Sequence, residues 1–422
     1  MTSLSLSLWI AAGIVLQLVI GLGIGFWRHL RNYRSLRGIQ GVAESPATHV
    51  GSMAAEEVNS PGWQGFRTFR VENKVFEDAH QSVCSFYLVP GDGKSLPRFL
   101  PGQFLTFRLD IPESNGRIGQ MVRCYSLSDA PDSDAYRVTI KRVAPPAGSD
   151  LPPGRASNFF HDHVAVGSEL QVRAPAGHFH LDDGDAPVVL IGSGIGITPM
   201  LSMLNWSMAQ RNSREIWLYY GVRDGRELIM KPHLDALAAA HPNFHLRVCF
   251  SNPQPDDMLG RDYHCRGRID VGLLRMQLPL RPYHFYVCGP TPMMESLVPA
   301  LEDWGVPDER IHLEAFGPAS IRHKPVPGAE SPSESAATGI VVNFSLSGKQ
   351  IPWTLAAGNL LELAEANGIP VNSGCRAGGC GSCQTTIQSG EVAYRQTPDF
   401  DPEPGSCLLC VCTPKTSVTL EA

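Results

Sequence analysis

Hydrophobic and polar positions change rhythm several times along the chain, and each change marks a different kind of element. From Leu4 to Trp27 the run is apolar and uncharged, with Gln17 its most polar residue. As a helix it would extend roughly 36 Å, enough for the ~30 Å hydrocarbon core of a bilayer with some tilt. Arg28, Arg31, Arg34 and Arg37 follow, with no acidic residue before Glu44. The positive-inside rule then predicts a single-pass transmembrane anchor over 1–28, with everything after it on the cytoplasmic side. A cleaved signal peptide is the competing reading. It wants a basic segment ahead of a shorter apolar stretch, and this chain starts Met1-Thr2-Ser3.

Residues 29–63 are a basic flank followed by small polar positions without periodicity, which reads as a tether. Over 64–182 the pattern becomes short alternating runs broken by Gly and Pro, such as Phe104–Leu109, Tyr136–Lys141 and Leu170–Ala174. That predicts an antiparallel β-barrel. Over 183–319 buried-strand runs (Val188–Ile191, Ile216–Tyr220, Phe244–Val248, His284–Cys288) alternate with helical stretches (Pro199–Trp206, His233–Ala240, Met293–Trp304). Strands alternating with helices predict a doubly wound parallel α/β sheet. Residues 320–337 are rich in Pro, Ser and Glu, cannot build a core, and read as a second linker. A last small domain, expected to be an α+β β-grasp, occupies 338–422.

Composition adds little beyond a globular class. The 422 residues are 43% hydrophobic and 18% charged with a net charge of −6, which gives no nucleic-acid footprint. The cysteines say more. Cys84, Cys124, Cys249, Cys265 and Cys288 are scattered, whereas six of the 11 crowd between Cys375 and Cys412. That distribution fits a metal site in a reducing compartment rather than a disulfide framework.

Cys375-x4-Cys380-x2-Cys383, with a further cysteine among Cys407, Cys410 and Cys412, has the spacing of a [2Fe–2S] site. Gly374, Gly378, Gly379 and Gly381 let the backbone curl around an inorganic core. A structural zinc usually takes two short Cys pairs, and only one is present. Upstream, Arg123-Cys124-Tyr125-Ser126 offers a guanidinium suited to a pyrophosphate, a ring suited to stacking and a small hydroxyl; a strand with a buried Tyr is the alternative. Gly154-Arg-Ala-Ser157-Asn158 reads as a helix N-terminus able to receive phosphate, or as an ordinary N-cap. Lys141 and Arg142 close a barrel strand and suit either an anion or solvent. In Gly192-Ser-Gly194-Ile195-Gly196-Ile197-Thr198-Pro199, glycines between a strand and a helix allow close approach of a pyrophosphate. The spacing is not that of the usual dinucleotide fingerprint, and a generic strand–helix turn competes. Cys288-Gly289-Pro290 ends a strand at the carboxyl edge, where ligands bind in such sheets; a lone cysteine there is more often core.

Three of these motifs, Arg123–Ser126, Gly192–Pro199 and Cys288-Gly289-Pro290, occur in that order and resemble the flavin, nicotinamide and C-terminal motifs of the ferredoxin–NADP⁺ reductase superfamily. The likeness is greatest to the reductase part of flavohaemoglobins and to reductases of ring-hydroxylating oxygenases, and it runs from Phe66 to Pro318. The segment 338–422 resembles plant-type ferredoxins. The resemblance implies a flavin site from Phe104, Arg123, Cys124, Tyr125, Ser126, Lys141, Gly154, Ser157 and Asn158, with Ser126 near flavin N5 and Phe104 where relatives have Tyr. It implies a nucleotide site from Gly194 to Pro199 with Gly289 and Pro290. Glu314-Ala-Phe316-Gly317-Pro318 is similar to the Glu-x-Phe-Gly-Pro ending of flavohaemoglobin reductases, where the aromatic and Gly317 lie at the flavin face. Cys288 and Glu314 would then sit near the nicotinamide C4. The ferredoxin pattern puts the fourth ligand four residues before a proline, which selects Cys410 ahead of Pro414 and leaves Cys407 and Cys412 as small buried hydrophobes.

The implied cofactors are FAD (in preference to FMN), a [2Fe–2S] cluster, and NADH or NADPH as substrate. Ser251-Asn252-Pro253 replaces the Ser-Arg pair of NADPH-specific relatives and tilts the choice to NADH, with Arg223, Arg226, Arg261, Arg266 and Arg268 as candidate phosphate ligands. The function expected is a membrane-anchored reductase passing electrons from NAD(P)H through FAD and [2Fe–2S] to an external acceptor protein such as an oxygenase or desaturase. A respiratory-type NADH dehydrogenase, and a redox sensor or docking protein that does not turn over, are the alternatives.

Overall fold

The computed structural model describes residues 63–316 and 339–422, apart from 113–115, 132, 146–147, 149–151, 211–212, 395–397 and 399. The expected anchor over 1–28, the basic flank and tether up to residue 62, and the linker over 320–337 lie outside the described residues, as does Gly317. Among the described residues no helix is long and apolar enough to cross a membrane. The expected architecture is therefore corrected: the transmembrane helix, the single-pass localisation and the membrane as a partner have no helix among the described residues to carry them. An apolar run of sufficient length is a condition for a spanning helix and does not by itself constitute one.

The first sheet consists of β1 (Arg67–Phe76), β2 (Val83–Pro90), β3 (Phe104–Pro112), β4 (Ile118–Ser126), β5 (Tyr136–Lys141) and β6 (Glu169–Ala176), ordered β4-β3-β6-β1-β2-β5 with every pair antiparallel. A bridge between Leu127 and Val138 joins the two edges. Phe69, Phe86, Phe107 and Val138 are fully buried in the barrel core. Helix α1 (Arg155–His163) plugs the barrel with Phe160, whose ring meets Phe86 and Phe107 edge-on, both at 5.3 Å.

The second sheet is parallel throughout, with β7 (Val188–Ser193), β8 (Ile216–Val222), β9 (Phe244–Phe250), β10 (Cys265–Arg266), β11 (His284–Gly289) and β12 (Ile311–Ala315) in the order β10-β9-β8-β7-β11-β12. Helices α2 (Ile197–Ala209), α3 (Lys231–Ala240), α4 (Val271–Gln277) and α5 (Thr291–Asp303) connect these strands. All seven residues of β8 are buried, as expected of a strand covered on both faces. Strand order reverses between β7 and β11, and the carboxyl ends of strands flanking such a reversal form a ligand crevice.

The third unit has β13 (Val341–Phe344), β14 (Lys349–Pro352), helix α6 (Leu360–Ala366), β15 (Gln384–Ser389), β16 (Val392–Tyr394), β17 (Ser406–Leu408), β18 (Cys412–Pro414) and β19 (Val418–Leu420). Its main sheet runs β14-β13-β19-β15-β17, with β13 and β19 parallel and α6 buried through Leu360, Leu361, Leu363 and Ala364. This is the α+β arrangement anticipated for the C-terminal domain.

Candidate functional site

Strand β4 carries the flavin-like motif, and its register with β3 sets Ser126 opposite Phe104 and Cys124 opposite Thr106. These residues open onto a cavity of about 820 Å³, toward the upper end of the usual range for ligand pockets. Its wall includes Phe104, Arg123, Cys124, Tyr125 and Ser126 from the barrel, with Lys141, Gly154 and Ser157 beside them. Ile195 and Thr198 come from the β7–α2 turn, and Glu314 and Phe316 from the end of β12. Another part of the wall is the loop Ser373–Ala377, which carries Cys375.

Several expected residues turn their polar groups inward instead. The Asn158 amide donates to the Val143 and Gly154 carbonyls and its oxygen accepts from Arg142, so it fastens α1 to the end of β5. Ser157 Oγ donates to the Gly154 carbonyl and accepts from Val143 N at 3.2 Å. Thr198 Oγ1 donates to the Ile195 carbonyl at 3.0 Å, while Ile197 and Pro199 are buried in α2. The Tyr125 ring lies edge-on to Phe107 and Phe160, at 5.8 Å and 5.2 Å, and burial pushes its hydroxyl up. Lys141 Nζ lies 3.8 Å from the Glu227 carboxylate.

The α/β sheet contributes a closely packed corner. Register places Cys288 beside Gly192 on one side and beside Glu314 on the other. A Cβ on Gly196 would fall on the Cys288 carbonyl group and 2.8 Å from Gly289 N. A Cβ on Gly289 would lie 2.7 Å from Met293 Cε, so the β7 turn and the β11 end approach as closely as backbone permits. Gly194 has φ +55° in open space, the left-handed conformation that glycine adopts freely. Pro290 starts α5 as its N-cap. Cys288 is fully buried, and burial together with the Glu314 charge pushes its thiol up.

Ser126 Oγ donates to Glu314 Oε2 at 3.0 Å, tying the barrel to the α/β sheet across the cavity. Loss of hydration pushes the Glu314 carboxyl up to about 8, with the Ser126 bond acting in the opposite direction. The ordinary carboxyl value is 4.5, so between the two pH values the folded chain keeps a proton that the unfolded chain has released. Stability therefore falls as pH rises from about 4.5 to about 8 and levels off above. Thermal melts of the flavin-free chain are expected to show this slope and Glu314→Gln to flatten it. A slope untouched by the substitution assigns it to other groups.

The cluster loop is organised around sulfur. Cys375 Sγ accepts from Gly379 N at 3.2 Å and Ala377 N at 3.4 Å, and Cys380 Sγ from Cys375 N at 3.2 Å. Such amide–sulfur bonds stabilise thiolates. Hydrogen bonds from Cys124 and Cys375 hold the Cys380 thiol below its usual range, and one from Cys410 does the same for Cys383. Cys412 pairs instead with Cys407, and both are fully buried. A Cβ on Gly374 would lie 2.7 Å from Cys380 Sγ, and one on Gly381 inside the Phe400 ring, so the loop tolerates no larger residues there. The Cys375 and Cys380 sulfurs with amide donors around them, and the Cys383–Cys410 thiol pair of the same domain, fit a [2Fe–2S] cluster, and the large cavity with a strand–helix turn at its rim fits a flavin and a nicotinamide nucleotide.

Two features escaped the sequence reading. Cys124, expected on the flavin side, has its sulfur within 4.8 Å of both Cys375 and Cys380 sulfurs. Arg173 on β6 donates to the Cys380 carbonyl at 2.8 Å. Neither contact is local in sequence, so no spacing could have signalled it.

Comparison with known proteins agrees with this geometry. Residues 190–298 match the model of the oxidoreductase NAD-binding domain, and 347–415 that of the 2Fe-2S iron-sulfur cluster binding domain. The flavohemoprotein of Halalkalibacterium halodurans is 41% identical over 269 residues, 63% of this chain and 64% of its own length. The chain thus spans less than two thirds of that relative. The flavohem-like FAD/NAD-binding domain of nitric oxide dioxygenase from Vibrio cholerae is 33% identical, aligns over 60% of this chain and 100% of its own, and has a TM-score of 0.52. Phthalate dioxygenase reductase, whose structure is described as modular for electron transfer from pyridine nucleotides to [2Fe–2S], is 26% identical over 85% of this chain and 98% of its own, with a TM-score of 0.51. Barrel, parallel sheet and cysteine loop thus belong together, and the chain is a member of the ferredoxin–NADP⁺ reductase superfamily, with an oxidoreductase NAD-binding domain and a C-terminal 2Fe-2S cluster binding domain.

Proposed function

We propose that the chain is a reductase that hands electrons singly to an external acceptor protein, of the oxygenase or desaturase kind. One observation carries the reading: a single cavity has the flavin motif of β4, the Glu314–Phe316 edge and the Cys375 loop in its wall. When bound, FAD takes two electrons as hydride from the nicotinamide and passes them one at a time to the cluster. Ser126 and Glu314 orient the reacting edge through their shared hydrogen bond, and Cys288 packs behind them. Arg123 faces the cavity as the cation for the flavin phosphates, with the α1 N-terminus at Gly154 adding its dipole. Cys375, Cys380, Cys383 and Cys410 hold the cluster; the Cys383–Cys410 and Cys407–Cys412 pairings support that choice of fourth ligand. The likeness to phthalate dioxygenase reductase supports an acceptor outside the chain.

An anaerobic titration tests this. Flavin and [2Fe–2S] absorbance are expected to bleach on addition of NADH and to return when an oxygenase component is added. Bands that persist with both nucleotides would sink the reading, and bleaching without reoxidation by any such component would remove the acceptor class.

The nucleotide edge favours NADH. Arg223 pairs with Glu227 at 2.9 Å, Arg226 with Asp224 at 2.6 Å and Arg261 with Asp262 at 2.7 Å. A 2′-phosphate would have to compete with these carboxylates for three of its five candidate cations, Arg266 and Arg268 being the other two. We expect kcat/KM for NADH to exceed that for NADPH by roughly tenfold or more, the equivalent of one charge-assisted hydrogen bond. Equal values from parallel initial-rate measurements would contradict it.

A further inference from the structure

Arg173 lies where the barrel meets the cluster loop, and nothing in the flavin or nucleotide chemistry calls for it. Its guanidinium stacks between Phe66 of the barrel segment and Phe400 of the ferredoxin domain, 4.6 Å and 4.5 Å from the two ring centroids. One nitrogen donates to the Cys380 carbonyl at 2.8 Å, while its Nε is buried without a hydrogen-bond partner among the described residues. Phe400 in turn packs on Gly381, the residue after that cysteine. Two further contacts lie beside this one: Arg123 donates to the Ser373 carbonyl at 3.4 Å, and the Cys124 sulfur sits among those of Cys375 and Cys380. A buried polar atom left unpaired opposes this arrangement, so the cation is held there by the two rings and the carbonyl.

We propose that Arg173 is the positioning residue for electron transfer within the chain. It seats the Cys380 loop against the flavin strand and places a positive charge beside the cluster site. The inference rests on the reductase reading above. In the step concerned, one electron leaves the flavin already reduced by NAD(P)H and enters the oxidised cluster, with no bond made or broken. Arg173 acts twice on that step. Its stacking and hydrogen bond fix the distance between the two groups. Its charge favours the reduced cluster, which carries one more negative charge. A lysine keeps the charge but loses the planar stacking surface, so the two contributions separate.

The test uses the full-length holoprotein in anaerobic stopped flow with NADH, following flavin and cluster absorbance, together with an EPR-monitored redox titration. For Arg173→Gln the cluster phase is expected to slow about tenfold relative to the flavin phase of the same trace, the loss of one charge-assisted hydrogen bond. The cluster midpoint potential should fall. Arg173→Lys should restore the potential but not the rate. Phe400→Leu, which leaves the charge and the carbonyl bond in place, should slow the rate with little change in potential, and it decides the matter if the glutamine variant loses its cluster. Wild-type rate and potential in both Arg173→Gln and Phe400→Leu would overturn the inference while leaving the reductase reading intact. A wild-type chain whose cluster is never reduced would instead overturn the reductase reading.

Discussion

Replacing Cys410 by serine is expected to remove the [2Fe–2S] absorbance and EPR signal while flavin reduction by NADH survives. The Cys410 thiol neighbours that of Cys383 and holds it below its usual range, whereas Cys412, two residues on, neighbours Cys407 and is fully buried. Cys412→Ser therefore keeps the cluster and loses only packing. Second-shell changes alone cost about 10–100-fold in metal affinity, so loss of a ligand should lower delivery to a one-electron acceptor at least ~100-fold. Retention of the cluster in Cys410→Ser with loss in Cys412→Ser would reverse the ligand assignment. Reading iron content and EPR beside the acceptor assay separates cluster loss from a failure of transfer.

Gly196→Ala should have a comparable effect on the other half-reaction. The new methyl would fall on the Cys288 carbonyl and 2.8 Å from Gly289 N, both backbone groups of the neighbouring strand end. The turn and β11 must separate to admit it, and a shift of about 1 Å in a reacting pair costs roughly 100-fold in rate. The expected result is a ~100-fold slower flavin reduction by NADH, with flavin and iron content retained. Gly194→Ala makes the contrast. It meets no neighbouring atom, only the strain of φ +55°, on the order of 1 kcal/mol. Equal effects of the two substitutions would show that backbone conformation, and not close approach, makes glycine necessary here.

Much of the fold could be read from hydrophobic rhythm because each sheet has a different one. Barrel strand β1 alternates between core and surface over Phe69–Glu72, whereas Phe104–Phe107, read as alternating, are all buried; the α/β strands run continuously, as in Ile216–Tyr220, because helices cover both faces. The cysteine loop was legible from spacing, since its first three sulfurs come from one turn. The residues around Asn158 read as either a phosphate-receiving helix N-terminus or an ordinary N-cap, and its amide donates to the Gly154 and Val143 carbonyls. A motif gives residue type and not the direction a polar group faces. Arg173 and Cys124 were invisible as cluster neighbours because their partners lie some two hundred residues away, brought near only by folding.

The seat of the cluster loop on the barrel has a consequence for kinetic order. Both of its surfaces belong to one chain, so their encounter is unimolecular and behaves as though each faced the other at roughly millimolar concentration. Diluting the protein leaves that step unchanged, while the handover to a separate acceptor slows in proportion. The loop face turned toward the barrel is also occupied while seated. On the proposed reading, an acceptor approaches the cluster from another side or waits for the seat to open, and in the second case turnover has a ceiling set by how often one docking partner gives way to the other.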